Sequence, residues 1–397
     1  MESSVMKINH QAAAPTTRPY QQCNRCVMDT TALDITFDEN GICNYCTEFL
    51  ERSNHIILED HLNKEMRLNA LVSQVKAAGR GKPYDCIVGV SGGVDSSWVL
   101  VQTKRLGLRP LAVHMDNGWN SELAQNNIAN LVSELKIDLH THVIDWMEYR
   151  GLMQAFFDAD VIDVELLYDN AMLAVNYQLA QKYDIKYILS GSNQVTEGMN
   201  LPPSWNWFKL DKRNIKDIAK KFGKVKIRTF PAMGVLKLLY FQHVKKIKWI
   251  SFPDYLPYNK FETLIELEAK YGYKRYPFKH YESIFTRFYQ GYILTRKFKV
   301  DKRLVHFATL IASGQITRDV AIKGLHGIPY PSEWHQEEDI NYFLKKMGWT
   351  RMDLEVYLLR PEIQHSAYKS EKGWHEFIFR AGKFVLPKWV REYLKKV

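Results

Sequence analysis

From Tyr84 to Gly191 the chain repeats one pattern: a short apolar run rich in β-branched residues, then a longer stretch with apolar residues at helical spacing. YDCIVGV (84–90), LAVHMD (111–116), LHTHVI (139–144) and KYILSG (186–191) read as strands, and KVKIRTF (224–230) reads as a fifth. SSWVLVQTKRLG, SELAQNNIANLVSELK and VELLYDNAMLAVNYQLAQKY read as the intervening helices. Few architectures accept this alternation. Strands joined through helices run parallel, a parallel sheet is covered on both faces, and ligands bind at the carboxyl ends of its strands. The expectation is an α/β fold with a doubly wound, mostly parallel sheet over residues 81–232.

The flanks differ from this core. Residues 1–20 read as a flexible leader, residues 21–55 as a four-cysteine module, and residues 233–397 as a basic, mainly helical region for substrate or partner, where FETLIELEAKYG and EWHQEEDINYFLKKMG have helical spacing. The net charge of +10 is unevenly spread: residues 1–200 hold 16 basic and 25 acidic groups, and residues 201–397 hold 38 and 19. So basic a second half attracts phosphate-bearing or acidic partners. No apolar run of about 18 residues is present to span a bilayer, and no secretory signal opens the chain, so a cytoplasmic location is expected.

Four of the five cysteines form CNRC (Cys23, Cys26) and CNYC (Cys43, Cys46), a C-x2-C-x16-C-x2-C spacing. Each C-x-x-C turn can present two thiolates to one tetrahedral ion, which points to structural zinc with no open coordination position. LDITFDENGIC, between the pairs, reads as a small hairpin. Cys86 lies inside an apolar strand and reads as core, which leaves no cysteine spare for thiol chemistry.

After the first strand comes GVSGGVDSS (89–97). It fits the G-x-S-x-G elbow of hydrolases with Ser91 as nucleophile, but that reading gives Asp95, Ser96 and Ser97 no task, and no oxyanion loop of the HGGG kind is present. A phosphate cradle uses every residue. Gly92 and Gly93 let backbone N–H groups turn toward an anion, Ser91 and Ser96 add hydroxyl donors, and a helix starting near Val94 aims its positive end at the site. Asp95 would repel phosphate there unless Mg²⁺ stood between them. The Walker lysine is absent.

SGGVDS after a first strand resembles the pyrophosphate loop of the PP-loop ATP pyrophosphatases, whose members split ATP between its α and β phosphates. The paired cysteines, SGGVDSS, DNGWNSELA (116–124), THVIDW (141–146), SGSNQVTEG (190–198), RFYQGYILTRKF (287–298) and DKR (301–303) together resemble the N-acetyl sugar amidotransferases of the WbpG and PseA type. That resemblance implies a PP-loop ATP pyrophosphatase fold and conversion of an acetamido group on a sugar to an acetamidino group, in synthesis of bacterial surface polysaccharide such as O-antigen. It implies ATP, Mg²⁺ and ammonia as reactants and cofactors. The ammonia would come from a separate glutaminase and cyclase pair similar to imidazole glycerol phosphate synthase, and no cysteine here is left to serve as a glutaminase nucleophile. Adenylation suits the chemistry, since an amide oxygen leaves only once it is bonded to AMP.

By this resemblance Ser91, Asp95 and Ser96 are the catalytic candidates. ATP and pyrophosphate would meet Ser91, Gly92, Gly93, Val94, Asp95 and Ser96 in the loop. They would also meet His114 and Asp116 at the second strand, and Gly191, Asn193 and Glu197 after the fourth. Asp95 and Glu197 are the Mg²⁺ candidates; Asp116 also reads as an ordinary strand-end cap. Trp205 and Trp207 in SWNWF could stack on a sugar or simply pack, and Arg296, Lys297, Lys302 and Arg303 are candidates for substrate phosphate or carboxylate. A nitrogen-inserting tRNA-modifying enzyme is the alternative, on the aromatic and basic stretch 271–292, which reads equally as a helix with an aromatic core face. Nucleic acid is otherwise not expected as a partner, and the sequence is compatible with a homo-oligomer.

Overall fold

A computed structural model describes residues 18–277 and 281–385, so the leader read at 1–20 lies almost wholly outside the described residues. Five strands form one sheet: β1 (Cys86–Gly89), β2 (Pro110–Asp116), β3 (Leu139–Val143), β4 (Tyr187–Ser190) and β5 (Lys248–Ser251). Their order is β3-β2-β1-β4-β5, and all four pairings are parallel. The order runs outward from β1 in both directions, which places the switch point, and the crevice it opens, at the carboxyl ends of β1 and β4.

The side chains of β1 alternate between two cores. Cys86 and Val88 join a cluster with Val75 of α2 (His61–Ala78, which follows α1, Asn44–Ile57), Leu100 of α3 (Val94–Arg105) and Ile128 of α4 (Glu122–Leu135). Ile87 joins a larger cluster on the opposite face with Phe156 of α5 (Trp146–Asp158) and Val175 of α6 (Leu166–Lys182). Both faces of β1 and β4 are therefore apolar, which explains their unbroken apolar runs.

After β4 come α7 (Gln194–Glu197), α8 (Lys212–Phe222) and α9 (Val235–Leu239). Beyond β5 the chain is helical: α10 (Lys260–Tyr271), α11 (Ile284–Phe288), a π turn at Tyr289–Ile293, α12 (Leu294–Lys297), α13 (Arg303–Ala312), α14 (Arg318–Leu325), α15 (Glu333–Met347), α16 (Arg351–Leu359) and α17 (Lys372–Val385). Both helices read from the sequence in this region are present. No helix among the described residues is long and apolar enough to cross a membrane.

The fifth strand differs from the reading. Residues 224–230 alternate as a strand would, yet they form none. They cross α5 as a strap, and the carboxylate of Glu148 accepts the backbone N–H groups of Arg228 (2.7 Å), Thr229 (2.8 Å) and Phe230 (2.9 Å), donors a ladder would have needed. The sheet instead takes KWIS at 248–251, beyond residue 232, in the region read as mainly helical. Its four residues give little periodic signal, and lysines at 245, 246 and 248 suit an edge strand.

Candidate active site

The loop after β1 is held by its own hydroxyls. Ser91 N–H donates to Ser96 Oγ (3.3 Å), Gly93 N–H donates to Ser91 Oγ (3.2 Å), and the two hydroxyl oxygens lie 3.2 Å apart. Gly92 has φ of +85°, and a methyl group there would stand 2.9 Å from the Ala124 carbonyl oxygen, so only glycine fits. Gly93 is the N-cap of α3 and supplies no side-chain cap, which aims the positive end of a twelve-residue helix at the space above the loop. From outside, the hydroxyls of Tyr273 and Tyr276 donate to the Gly92 carbonyl oxygen at 3.1 and 3.0 Å.

Asp95 stands in the first turn of α3. One carboxylate oxygen accepts from Asn193 Nδ2 (3.3 Å), Thr196 Oγ1 (3.3 Å) and the Tyr258 hydroxyl. Burial first, then the charges of Asp95 and Glu197, hold the Tyr258 hydroxyl protonated well above the ordinary tyrosine range, so it stays a donor to Asp95. Gly191 makes this approach possible, because a side chain there would meet the Ser96 backbone nitrogen at 2.8 Å. His114 is buried, with Nδ1 3.0 Å from the Val90 carbonyl oxygen and Nε2 3.0 Å from Asn120 Nδ2. Since the carbonyl can only accept, Nδ1 carries the proton. Asp116 accepts from Gly118 N–H (2.8 Å) and Asn120 Nδ2 (3.1 Å), closing the turn after β2.

These elements border a cavity of about 800 Å³. Ser91, Gly93, Val94, Asp95, Ser96, Gly191, Glu197 and Lys302 line it; Gly92, His114, Asp116 and Asn193 do not. Of the opposite wall only Lys302 was read from the sequence. One face of α6 and its N-cap contributes Glu165, Asp169, Met172 and Asn176. Lys209 bridges Asp163 (2.7 Å) and Asp169 (2.9 Å), while Glu165 accepts from Lys302 (2.6 Å) and Gln290 (2.9 Å). Burial raises the Asp169 carboxyl; Lys209 opposes this, and Asp163 and Glu165 add to it. Residues 282–309 supply much of the remaining lining, including Glu282, Thr286, Gln290, Lys302 and His306.

The other candidates lie outside the lining. Trp205 is buried in the core. Trp207 stacks on His365 at 5.1 Å, and its indole donates to Asp211 (2.8 Å). Arg296 lies over the Tyr292 ring. The Lys297 ammonium donates to Asp160 (3.0 Å) and to the carbonyls of Tyr357 and Arg360, and Arg303 pairs with Asp301 (2.7 Å). In the aromatic stretch 271–292, Phe288, Tyr289 and Tyr292 are buried in the core, whereas Tyr273 and Tyr276, which clamp the loop, and Phe285 line the cavity.

Away from the cavity, the Sγ atoms of Cys23, Cys26, Cys43 and Cys46 all lie within 4.8 Å of one another, and all four residues are fully buried. Cys26 and Cys43 sulfurs are 3.7 Å apart, close to the ~3.8 Å edge of a tetrahedron with metal–sulfur bonds of about 2.3 Å. Backbone N–H groups of Cys26, Met28 and Cys43 point at sulfur from 3.3–3.4 Å, which suits thiolates. The donor set fits one tetrahedral metal ion. Arg318 of α14 donates to the Cys26 (2.9 Å) and Cys23 (3.2 Å) carbonyls, and Ser53 of α1 donates to Gln194 (2.7 Å), beside the segment carrying Glu197.

Residues 282–380 match the family described as LPS biosynthesis protein WbpG-like, C-terminal domain. Among curated proteins no match was found. Partial likenesses to solved structures include an NMN synthetase from Francisella tularensis (15% identity, 52% of this chain and 87% of that one, TM-score 0.29). An NH3-dependent NAD synthetase from Campylobacter jejuni gives 16% identity, 53% and 84% coverage, and a TM-score of 0.29. A predicted subunit of tRNA methyltransferase from Methanocaldococcus jannaschii gives 15%, 46% and 73%, and 0.27.

Proposed function

We propose, from the WbpG-like C-terminal segment at 282–380, that the chain is an ATP-dependent amidotransferase of bacterial surface polysaccharide synthesis, converting the acetamido group of an N-acetylated sugar to an acetamidino group. One observation carries this reading: that segment builds a wall of the same cavity into which the Ser91–Ser96 loop opens. An anion cradle and a sugar-pathway domain share one space. The acceptor would be a nucleotide-linked sugar or a nonulosonic acid.

In this reading the acetamido oxygen attacks the α-phosphorus of ATP and pyrophosphate leaves. Ammonia then adds to the activated carbon, and AMP departs with the former amide oxygen. Ser91, Gly93 and Ser96 would hold the leaving pyrophosphate. Asp95 and Glu197 would hold Mg²⁺, which supplies charge neutralisation at the phosphates; two carboxylates plus phosphate oxygens are an ordinary Mg²⁺ set. Tyr258, Asn193 and Thr196 fix the Asp95 carboxylate for that task. His114 and Asp116 shape the turn beside the adenosine. The four cysteines would hold structural zinc. Cys86 is fully buried, its thiol pushed up by burial and by Asp85, so it is no nucleophile, and nitrogen is read as arriving from a separate glutaminase and cyclase pair.

The test incubates purified protein with MgATP, ammonium and nucleotide-linked diacetamido sugars, with bulk tRNA in parallel. A sugar mass lower by about one unit, with AMP and pyrophosphate formed in equal amounts, is expected, since oxygen is exchanged for NH. Asp95→Ala should reduce turnover by at least about a hundredfold with the thermal midpoint retained. Modification of tRNA alone, or AMP release unchanged in Asp95→Ala, would refute the proposal.

A further inference from the structure

The wall facing the loop is built from ion pairs that already satisfy themselves. Glu165 takes Lys302 and Gln290, and Lys209 is shared between Asp163 and Asp169. Three carboxylates thus surround two lysines, and Glu165 and Asp169 line the cavity with both lysines, together with Asp95, Glu197 and Glu282. A phosphate or carboxylate placed on this wall would have to displace a carboxylate from each lysine and would then face that displaced charge. An uncharged hydroxyl faces no such conflict. It donates to a carboxylate oxygen while accepting from an ammonium, and alternating donors and acceptors in fixed pairs match the vicinal hydroxyls of a sugar ring. On the same face of α6, Asn176 is 2% exposed and donates to the Met172 carbonyl (2.8 Å), while its Oδ1 accepts no hydrogen bond. Among the described residues it is the one buried side chain with such an orphan atom that also lines the cavity. A buried acceptor without a donor is costly and marks a place where a bound group can supply one.

We infer that the Glu165–Lys302–Gln290 and Asp169–Lys209 wall is the subsite for the hydroxyls of the acceptor's uncharged sugar ring, and that any anionic part of the acceptor lies elsewhere. The inference rests on the amidotransferase reading and assigns the ring of its substrate. It also changes the task of Lys302, which the sequence offered to phosphate or carboxylate.

The sign of two substitutions decides between the ligands. If the pair binds hydroxyls, Glu165→Gln and Lys302→Met should each raise KM for the acceptor about tenfold or more, leave KM for MgATP within about twofold, and leave kcat little changed. If Lys302 binds an anion, removing its carboxylate partner frees it, so Glu165→Gln lowers the acceptor KM while Lys302→Met raises it. That outcome overturns the inference, as does no change in either variant. The double variant Glu165→Gln/Lys302→Met leaves no orphan charge to unfold the protein, and its acceptor KM must also rise. Wild-type protein inactive on every acetamido sugar would instead mean that the amidotransferase reading had failed, and the subsite with it.

Discussion

Asp95 shows how single residues set the site. Three donors converge on one of its carboxylate oxygens, and the closest of them, the Tyr258 hydroxyl, is kept protonated by burial and by the acids it faces. The loop residues were legible because glycine at positive φ, serine and aspartate each have a narrow chemical meaning in that turn. Tyr258 was not, since a tyrosine more than 160 residues downstream carries no local sign of where it will point. The cysteines were legible for a different reason: two C-x-x-C pairs at this spacing can bring four sulfurs to one point, where they are found. Cys23→Ser should drop zinc content by elemental analysis from about one ion per chain toward none and lower the thermal midpoint by several degrees. Activity should fall with it, because α1 starts at the second cysteine pair and props the Glu197 segment through Ser53. Unchanged metal content in Cys23→Ser would count against a metal site.

At the scale of elements, four of the five strands and the helices between them could be read because short apolar runs alternate with stretches of helical spacing; β1, β2 and β4 are buried, whereas the edge strand β3 leaves Leu139 and Val143 exposed. The strap at 224–230 alternates in sequence too, but Val225 is exposed, only Ile227 and Phe230 pack partly against the core, and the backbone is bound by one carboxylate. Alternation in the sequence does not by itself make a strand; pairing does. Burial pushes the Glu148 carboxyl up, but the strap amides overcome this and hold it below the usual glutamate range. A depressed value means stability that is present above the ordinary pKa and lost as pH falls through the lowered one. Glu148→Gln should cost about 2 kcal/mol at neutral pH in denaturant unfolding and remove this part of the acid dependence. An unchanged midpoint would show that the strap is held by other contacts.

For the whole molecule, the deciding feature is that residues far apart in sequence share one cavity. Asp95, Glu165, Lys209, Gln290 and Lys302 come from five separate segments, which is why the loop was readable and, of the opposite wall, only Lys302 was singled out. His365 fastens the C-terminal region to this body. It stacks on Trp207, accepts from Asp163 N–H (3.2 Å), and its Nδ1 bonds Asn214 Oδ1 (2.8 Å). Burial lowers its pKa to about 4. Between the ordinary histidine value and that one, the unfolded chain takes a proton the folded chain refuses, so stability should fall as pH drops from about 6.5 to 4, by up to about 3 kcal/mol from this group. Comparing unfolding at pH 7.5 and 4.5 in wild type and His365→Gln should show a smaller acid loss in the variant; equal losses would assign the effect to other groups.

The clamp of Tyr273 and Tyr276 on the Gly92 carbonyl, and the late arrival of the fifth strand, carry a consequence for biogenesis. A ribosome releases the glycine turn long before either phenol or the outer strand exists. The glycine turn must therefore wait, unsecured, while some 180 further residues are translated. Message truncated anywhere in that interval yields polypeptide with the loop motif present and its clamp absent.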